Sequence, residues 1–172
     1  MAVRPILQLG NPLLWRVSEP VTDISSLDLP ALINDLQNTL ADFRSRFGFG
    51  RGVAAPQIGI LKRVIYVRIH PEGFTGPLIN PRIVWHSEST IELWDDCFSF
   101  PGLLVKVSRA ATIRVMYEDP AGTSCSIDAK GELSELLQHE IDHLDGILAT
   151  DRALSPRSFM MRTEREIARP GQ

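Results

Sequence analysis

Between residues 29 and 47, LPALINDLQNTLADFRSRF places apolar side chains at 29, 32, 33, 36, 40, 43 and 47. That spacing predicts an amphipathic helix with one buried face, broken afterwards by Gly48, Gly50 and Gly52. The following VAAPQIGI is a run of small residues suited to close backbone packing. Residues 62–69 (KRVIYVRI) and 78–85 (LINPRIVW) predict strands on either side of a Pro/Gly-rich loop. Residues 103–107 and 111–118 are also expected to be extended, and EDPAGTS predicts a hairpin turn into a strand near 123–128. In 132–144, ELSELLQHEIDHL, apolar residues at 133, 136, 137, 141 and 144 predict a second helix, with Gly146 placed to stop it. A last helix is expected from Pro156 to about Ala168, with Ser155 capping its first turn. Strands come in runs, with helices early and late, so the pattern predicts an α+β fold rather than alternating βαβ units.

Composition narrows the class without naming it. The 172 residues are 44% hydrophobic and 23% charged, which excludes a fully disordered chain and allows one catalytic-sized domain over 1–172. No apolar run approaches the length of a membrane helix, and MAVRPILQLGNPLL is not expected to be a secretory signal. Two cysteines, Cys97 and Cys125, imply no disulfide framework and suit a reducing cytoplasm, with an organelle as the other open compartment. The net charge of −3 argues against specific nucleic-acid recognition. From Arg152 onward five Arg stand against two Glu, a local +3 that leaves −6 on the rest. Such a basic end is a solvated helix face or a docking surface for an anionic partner.

The strongest chemical signal is His139-Glu140-Ile141-Asp142-His143. Two His at i and i+4 share one helix face, so both imidazoles can reach one metal ion, and Glu140 can take a proton from a water polarised there. A third ligand is needed. Extension to HExxHxxGxxH fails, because position 149 is Ala149; Glu164 and Glu166 lie downstream in an Arg-rich surface segment. Cys97, in WDDCFSFPG, is the better third donor. Cys125 is expected to be structural. His70 and His86, at a strand end and in a loop, are expected to be ordinary surface residues.

Three motifs in order now resemble the peptide deformylase family. Gly50-Arg51-Gly52-Val53-Ala54-Ala55-Pro56-Gln57 is similar to GxGxAAxQ, Asp95-Asp96-Cys97-Phe98-Ser99 stands where the family has EGCLS, and Gln138-His139-Glu140-Ile141-Asp142-His143-Leu144 fits QHExDHL in full. The resemblance extends over nearly the whole chain. It implies mostly antiparallel sheets packed around a central helix carrying HExxH, with N-terminal and C-terminal helices. It implies a metallo-hydrolase that removes the N-formyl group from the initiating Met of new polypeptides and releases formate. Cys97, His139 and His143 would hold one divalent ion, Fe²⁺ in the cell, with Zn²⁺ or Ni²⁺ as other possibilities. Glu140 would be general base and then acid, and Gln57 and the Phe98 backbone N–H would donate to the oxyanion. Gly50, Gly52 and Val53 would line an extended substrate peptide, Glu135 and Leu136 the Met pocket, and Asp95 with Arg109 an ion pair behind the metal. By the same analogy, Arg157, Arg162 and Arg165 of the C-terminal helix could contact ribosomal RNA.

The sequence departs from the family at three positions of the second motif, where Asp95, Asp96 and Phe98 replace Glu, Gly and Leu. Asp95 keeps the charge on a shorter stem, and Asp96 adds an anion beside the ligand. Ser134-Glu135 replaces an Ala-Arg or Ala-Ile pair, which would weaken the preference for formyl-Met. Two competing readings follow: a deformylase-like amidase with another N-acyl specificity, and a weakly active or inactive metal-binding homologue.

Overall fold

A computed structural model describes residues 2–69 and 73–168. The first helix, α1 (Asp28–Phe47), forms where the apolar spacing places it. Its buried face is Leu29, Leu32, Leu36, Leu40 and Phe43. Phe47, expected on that face, is 45% exposed and stacks on Phe43 instead. Gly48 ends the helix in the left-handed region at φ 76°, and its N–H bonds the Arg44 carbonyl. A side chain there would be strained, which is why the chain turns at a glycine.

Five strands build the main sheet: β1 (Gly52–Ala54), β2 (Val64–Arg68), β3 (Thr75–His86) and, further along the chain, two more. A separate strand, β4 (Thr90–Asp96), comes between, followed by β5 (Leu103–Ala110), β6 (Thr112–Glu118) and β7 (Ser124–Lys130). The main sheet runs β1-β2-β3-β6-β7, antiparallel throughout. Strand β2 explains the layering. Val64 and Tyr66 point into the core under α1, whereas Ile65 and Val67 join the core under α2 (Glu132–Leu144). Alternation along the strand therefore feeds two cores, one on each face of the sheet, and the strand has no polar face. The expected hairpin between β6 and β7 is present, with the Asp119 carboxylate accepting from the N–H groups of Ala121 and Thr123.

Helix α2 spans the residues expected of it and is the molecule's central helix. Leu136, Leu137, Ile141 and Leu144 belong to its core, yet Ser134, Glu135, His139, Glu140, Asp142 and His143 are buried too. Polar groups on the second face of a buried helix must find partners or carry function.

The second sheet departs from expectation. β4 has no counterpart in the periodicity, because its TIELWDD alternation ends in two acidic residues. The C-terminal region also differs. The helix expected over 156–168 is a strand, β8 (Phe159–Met161), followed by a shorter helix, α3 (Arg162–Ala168). β8 pairs with β5, which lies between β4 and β8. Ser155 does cap a turn, accepting from the Arg157 N–H, but the free edge of β5 then captures the chain as a strand. Among the described residues, no helix is long and apolar enough to cross a membrane.

Candidate active site

The HExxH residues sit on the inner face of α2, and β4 delivers the remaining groups at its C-terminal end. Nε2 of His139 and Nε2 of His143 are 3.2 Å apart, and Cys97 Sγ lies 3.3 Å from His143 Nε2. All three donors fall within 4.8 Å of one another and all are buried. A tetrahedral ion with ordinary bond lengths requires separations of about 3.3 Å between nitrogens and 3.6 Å between nitrogen and sulfur. The donor set and spacing fit such an ion, and Cys97 lies where a third donor would stand. Glu164 lies exposed on α3, away from the cluster.

Behind the donors runs a chain of buried charge. His139 Nδ1 lies 3.0 Å from Asp95 Oδ2, so its Nε2 is the atom turned toward the other ligands. Arg109 donates to Asp95 at 2.7 and 3.2 Å and to Asp142 at 2.9 Å. Arg152 closes the chain with two bonds to Asp142, at 2.7 and 2.6 Å. The Asp95–Arg109 pair expected from sequence is thus present despite the shorter acid. Asp142 and Arg152, which sequence reasoning missed, extend it to the surface. Burial opposes ionisation of Asp95, but His139 and Arg109 override it and hold its pKa far below the usual carboxylate range. Burial also opposes a proton on His139, and the facing Asp95 raises that pKa well above the ordinary value. His143 is pushed well below it by burial and by His139. Their Nε2 atoms stand 3.2 Å apart, close enough that one bound cation would be shared between them.

Glu140 is buried, and its Oε2 accepts no hydrogen bond from the described residues. Burial raises its pKa to about 7, suited to a group that takes and returns a proton near neutrality. Gly52 makes room for it: a Cβ there would lie 2.8 Å from the Glu140 carboxyl carbon. Gly50 has φ 110°, and a Cβ on it would overlap the Phe98 ring. Both glycines are therefore required by close approach, one to the base and one to the residue beside the metal donor.

Gln57 lies on a 3₁₀ turn, Ala55–Ile58, and is 2% exposed. Its Oε1 accepts from the Ala54 N–H at 2.8 Å, which aims Nε2 at Cys97 Sγ (3.5 Å) and Ser99 Oγ (3.3 Å). The Gln57 N–H₂ is thus fixed beside the metal donors. A cleft opens onto this cluster and is lined by Gly50, Gly52, Phe98, Glu135 and Leu136 among others. Of the residues expected beside the substrate, Val53 is the exception. It is fully buried in the core under α1 and is not among the cleft residues. Strand alternation explains this, since its neighbours Gly52 and Ala54 occupy the other face.

The remaining expectations fall outside the cluster. His86 ends β3, exposed, with Nδ1 beside the Ser87 carbonyl; His70 lies outside the described residues. Cys125 is half-buried on β7 opposite Tyr117. Of the arginines expected to face an anionic partner, Arg157 is exposed and Arg165 half-buried. Arg162 is turned inward. It donates to Asp96 at 2.7 Å and to the Pro101 carbonyl at 2.9 Å, and lies over the Phe49 ring. Asp96 therefore has a local partner, which answers the cost of an extra anion beside Cys97.

A buried Cys/His/His set with an adjacent carboxylate, its two His on a central helix and its Cys just after β4, is the kind of site that metal-dependent hydrolases use. The sequence model of the family described as polypeptide deformylase matches residues 3–158. The chain belongs to that family. The peptide deformylase of Natranaerobius thermophilus is 40% identical over 153 residues, covering 89% of this chain and 94% of the relative. That of Rhizobium meliloti is 38% identical over 154 residues, covering 88% and 85%. Among solved structures, the peptide deformylase of Legionella pneumophila superposes with a TM-score of 0.82 at 34% identity, covering 99% of this chain and 100% of that one.

Proposed function

We propose that this chain removes the formyl group from the N-terminal formylmethionine of newly made polypeptides and releases formate. The observation that carries this reading is the convergence of Cys97, His139 and His143 beside Glu140, whose Oε2 has no partner among the described residues. Cys97, His139 and His143 hold one divalent ion, Fe²⁺ in the cell, with Zn²⁺ and Ni²⁺ chemically suited to the same donors. When bound, that ion supplies Lewis acidity to the formyl carbonyl and makes a water more acidic.

The chain's own groups do the rest. Glu140 takes the proton of the attacking water as its oxygen bonds to the formyl carbon. Gln57 Nε2 and the Phe98 N–H donate to the oxyanion that forms. The C–N bond breaks, and Glu140 returns the proton to the leaving amine, giving formate and a free N-terminus. Strand β1 is the edge of its sheet, so its outer side is open beside the cleft for an extended peptide to align. The cytoplasm is the compartment in which such nascent chains emerge.

The test is formate release from formyl-Met-Ala-Ser by Fe²⁺-loaded protein under anaerobic conditions. Turnover no greater than that of Glu140→Ala would sink the reading. Including acetyl-Met-Ala-Ser separates it from an amidase of other N-acyl specificity.

A further inference from the structure

In the cleft, Arg51 and Glu135 form an ion pair, and Arg51 Nη1 lies 3.7 Å from Glu132 as well. Glu135 stands one helical turn before His139 on α2, so it borders the metal donors directly. Arg51 stands between the two glycines that approach Phe98 and Glu140. The side chain of a formylated residue branches at Cα, two bonds from the formyl carbon. It must therefore lie within a few ångströms of the reacting carbon, where the side chains beyond the reacting groups are Arg51, Asp96, Phe98, Glu135 and Leu136.

Two features separate this pair from a stabilising surface contact. The Glu135 side chain is 9% exposed and that of Arg51 35%, so the pair is partly desolvated. Such a pair is commonly replaceable by apolar residues without loss of stability, so fold alone does not account for it. A guanidinium also carries five N–H donors, more than one carboxylate can accept. Those that face the cleft suit an acceptor on a ligand. Glu132 and Asp96 act on the same guanidinium, so the subsite as a whole is negative and disfavours an anionic side chain.

We propose that Arg51 and Glu135 form a polar subsite that favours N-formyl residues whose side chain ends in a hydrogen-bond acceptor. This rests on the deformylase reading and concerns which formyl peptides the same site prefers. Among side chains of methionine length, glutamine and methionine sulfoxide carry such an acceptor, whereas norleucine does not. Methionine still enters, against Leu136 and Phe98, but its thioether is a weak acceptor. A purely apolar pocket would reject a buried, unpaired amide by on the order of a hundredfold.

The experiment compares kcat/KM of the Fe²⁺-loaded protein for formyl-norleucine-, formyl-Gln- and formyl-Met-sulfoxide-Ala-Ser. It is run for the wild type and for the double variant Arg51→Val/Glu135→Ile, which removes both charges together. Circular dichroism and metal content check each preparation. The wild type is expected to turn over the glutamine peptide at least as well as the norleucine peptide, and the double variant to prefer norleucine by at least about tenfold. The sulfoxide should follow glutamine. Calorimetric binding of the product peptides Gln-Ala-Ser and norleucine-Ala-Ser should show the same order without turnover. A wild-type preference for norleucine over glutamine, or a folded double variant that prefers norleucine by less than about tenfold, overturns the subsite. If the double variant does not fold, the wild-type ratio and the product affinities decide. No formate from any formyl peptide overturns the deformylase reading itself.

Discussion

At the scale of single residues, the site is governed by how burial treats charge. Glu140 has its pKa raised from 4.5 to about 7 by burial. Its charged form therefore weakens the metal-free fold above pH 4.5, increasingly up to about 7 and by a constant amount beyond. Glu140→Gln should cut kcat/KM by about a hundredfold to ten-thousandfold. It should also stabilise the metal-free protein at pH 8 by up to roughly 3 kcal/mol, a gain that vanishes at pH 4, where both carry a neutral group. Denaturant unfolding at the two pH values checks this, and an equal effect at both would contradict it. Arg109 behaves in the opposite way. Its guanidinium neutralises Asp95 and Asp142 in the interior, so Arg109→Ala leaves two buried carboxylates short of a partner and should cost about 3–5 kcal/mol. Gly52→Ala tests space rather than charge. Its Cβ displaces the Glu140 carboxylate, so activity should fall while metal content, read by elemental analysis, is retained.

At the scale of elements, α1 and α2 were legible because their apolar spacing and terminal glycines agree, and the structure follows them closely. β4 and β8 were not. β4 carries Cys97 to the site, but it is an edge strand whose acidic end obscures the alternation. β8 has a local pattern compatible with a helix, and the open edge of β5 decides otherwise. Arg162 at the junction of β8 and α3 ties both to Asp96, next to the Cys97 donor. Arg162→Ala should lower stability by about 1 kcal/mol. It should also speed metal loss to a chelator, because the segment holding Cys97 loses its tether. Unchanged chelation kinetics would show that the contact does not reach the ligand.

For the whole molecule, two sheets and a central helix converge on three donors, so metal and fold should be thermodynamically linked. A chelator is expected to abolish formate release and lower Tm, and anaerobic Fe²⁺ to restore both. Affinity should weaken as pH falls, because the ion competes with the proton that Asp95 favours on His139. Of the three arginines that the resemblance assigns to ribosomal RNA, Arg157 is exposed and Arg165 half-buried, and we propose that these two make the contact. Co-sedimentation with ribosomes should therefore fall with salt and with Arg157→Glu, and insensitivity to both would remove that partner. The sequence by itself determined α1 and α2 and put His139, His143 and Glu140 together as candidate donors and base, because periodicity and the His-x-x-x-His spacing are local properties of a helix. The role proposed for Gln57 and the Asp95–Arg109 pair followed from family resemblance. Only the tertiary structure brought Arg51 against Glu135, Arg162 onto Asp96, and Asp142 and Arg152 behind the site. Each of those contacts joins side chains from different elements or across a turn, and their charges are individually ordinary until folding removes them from water.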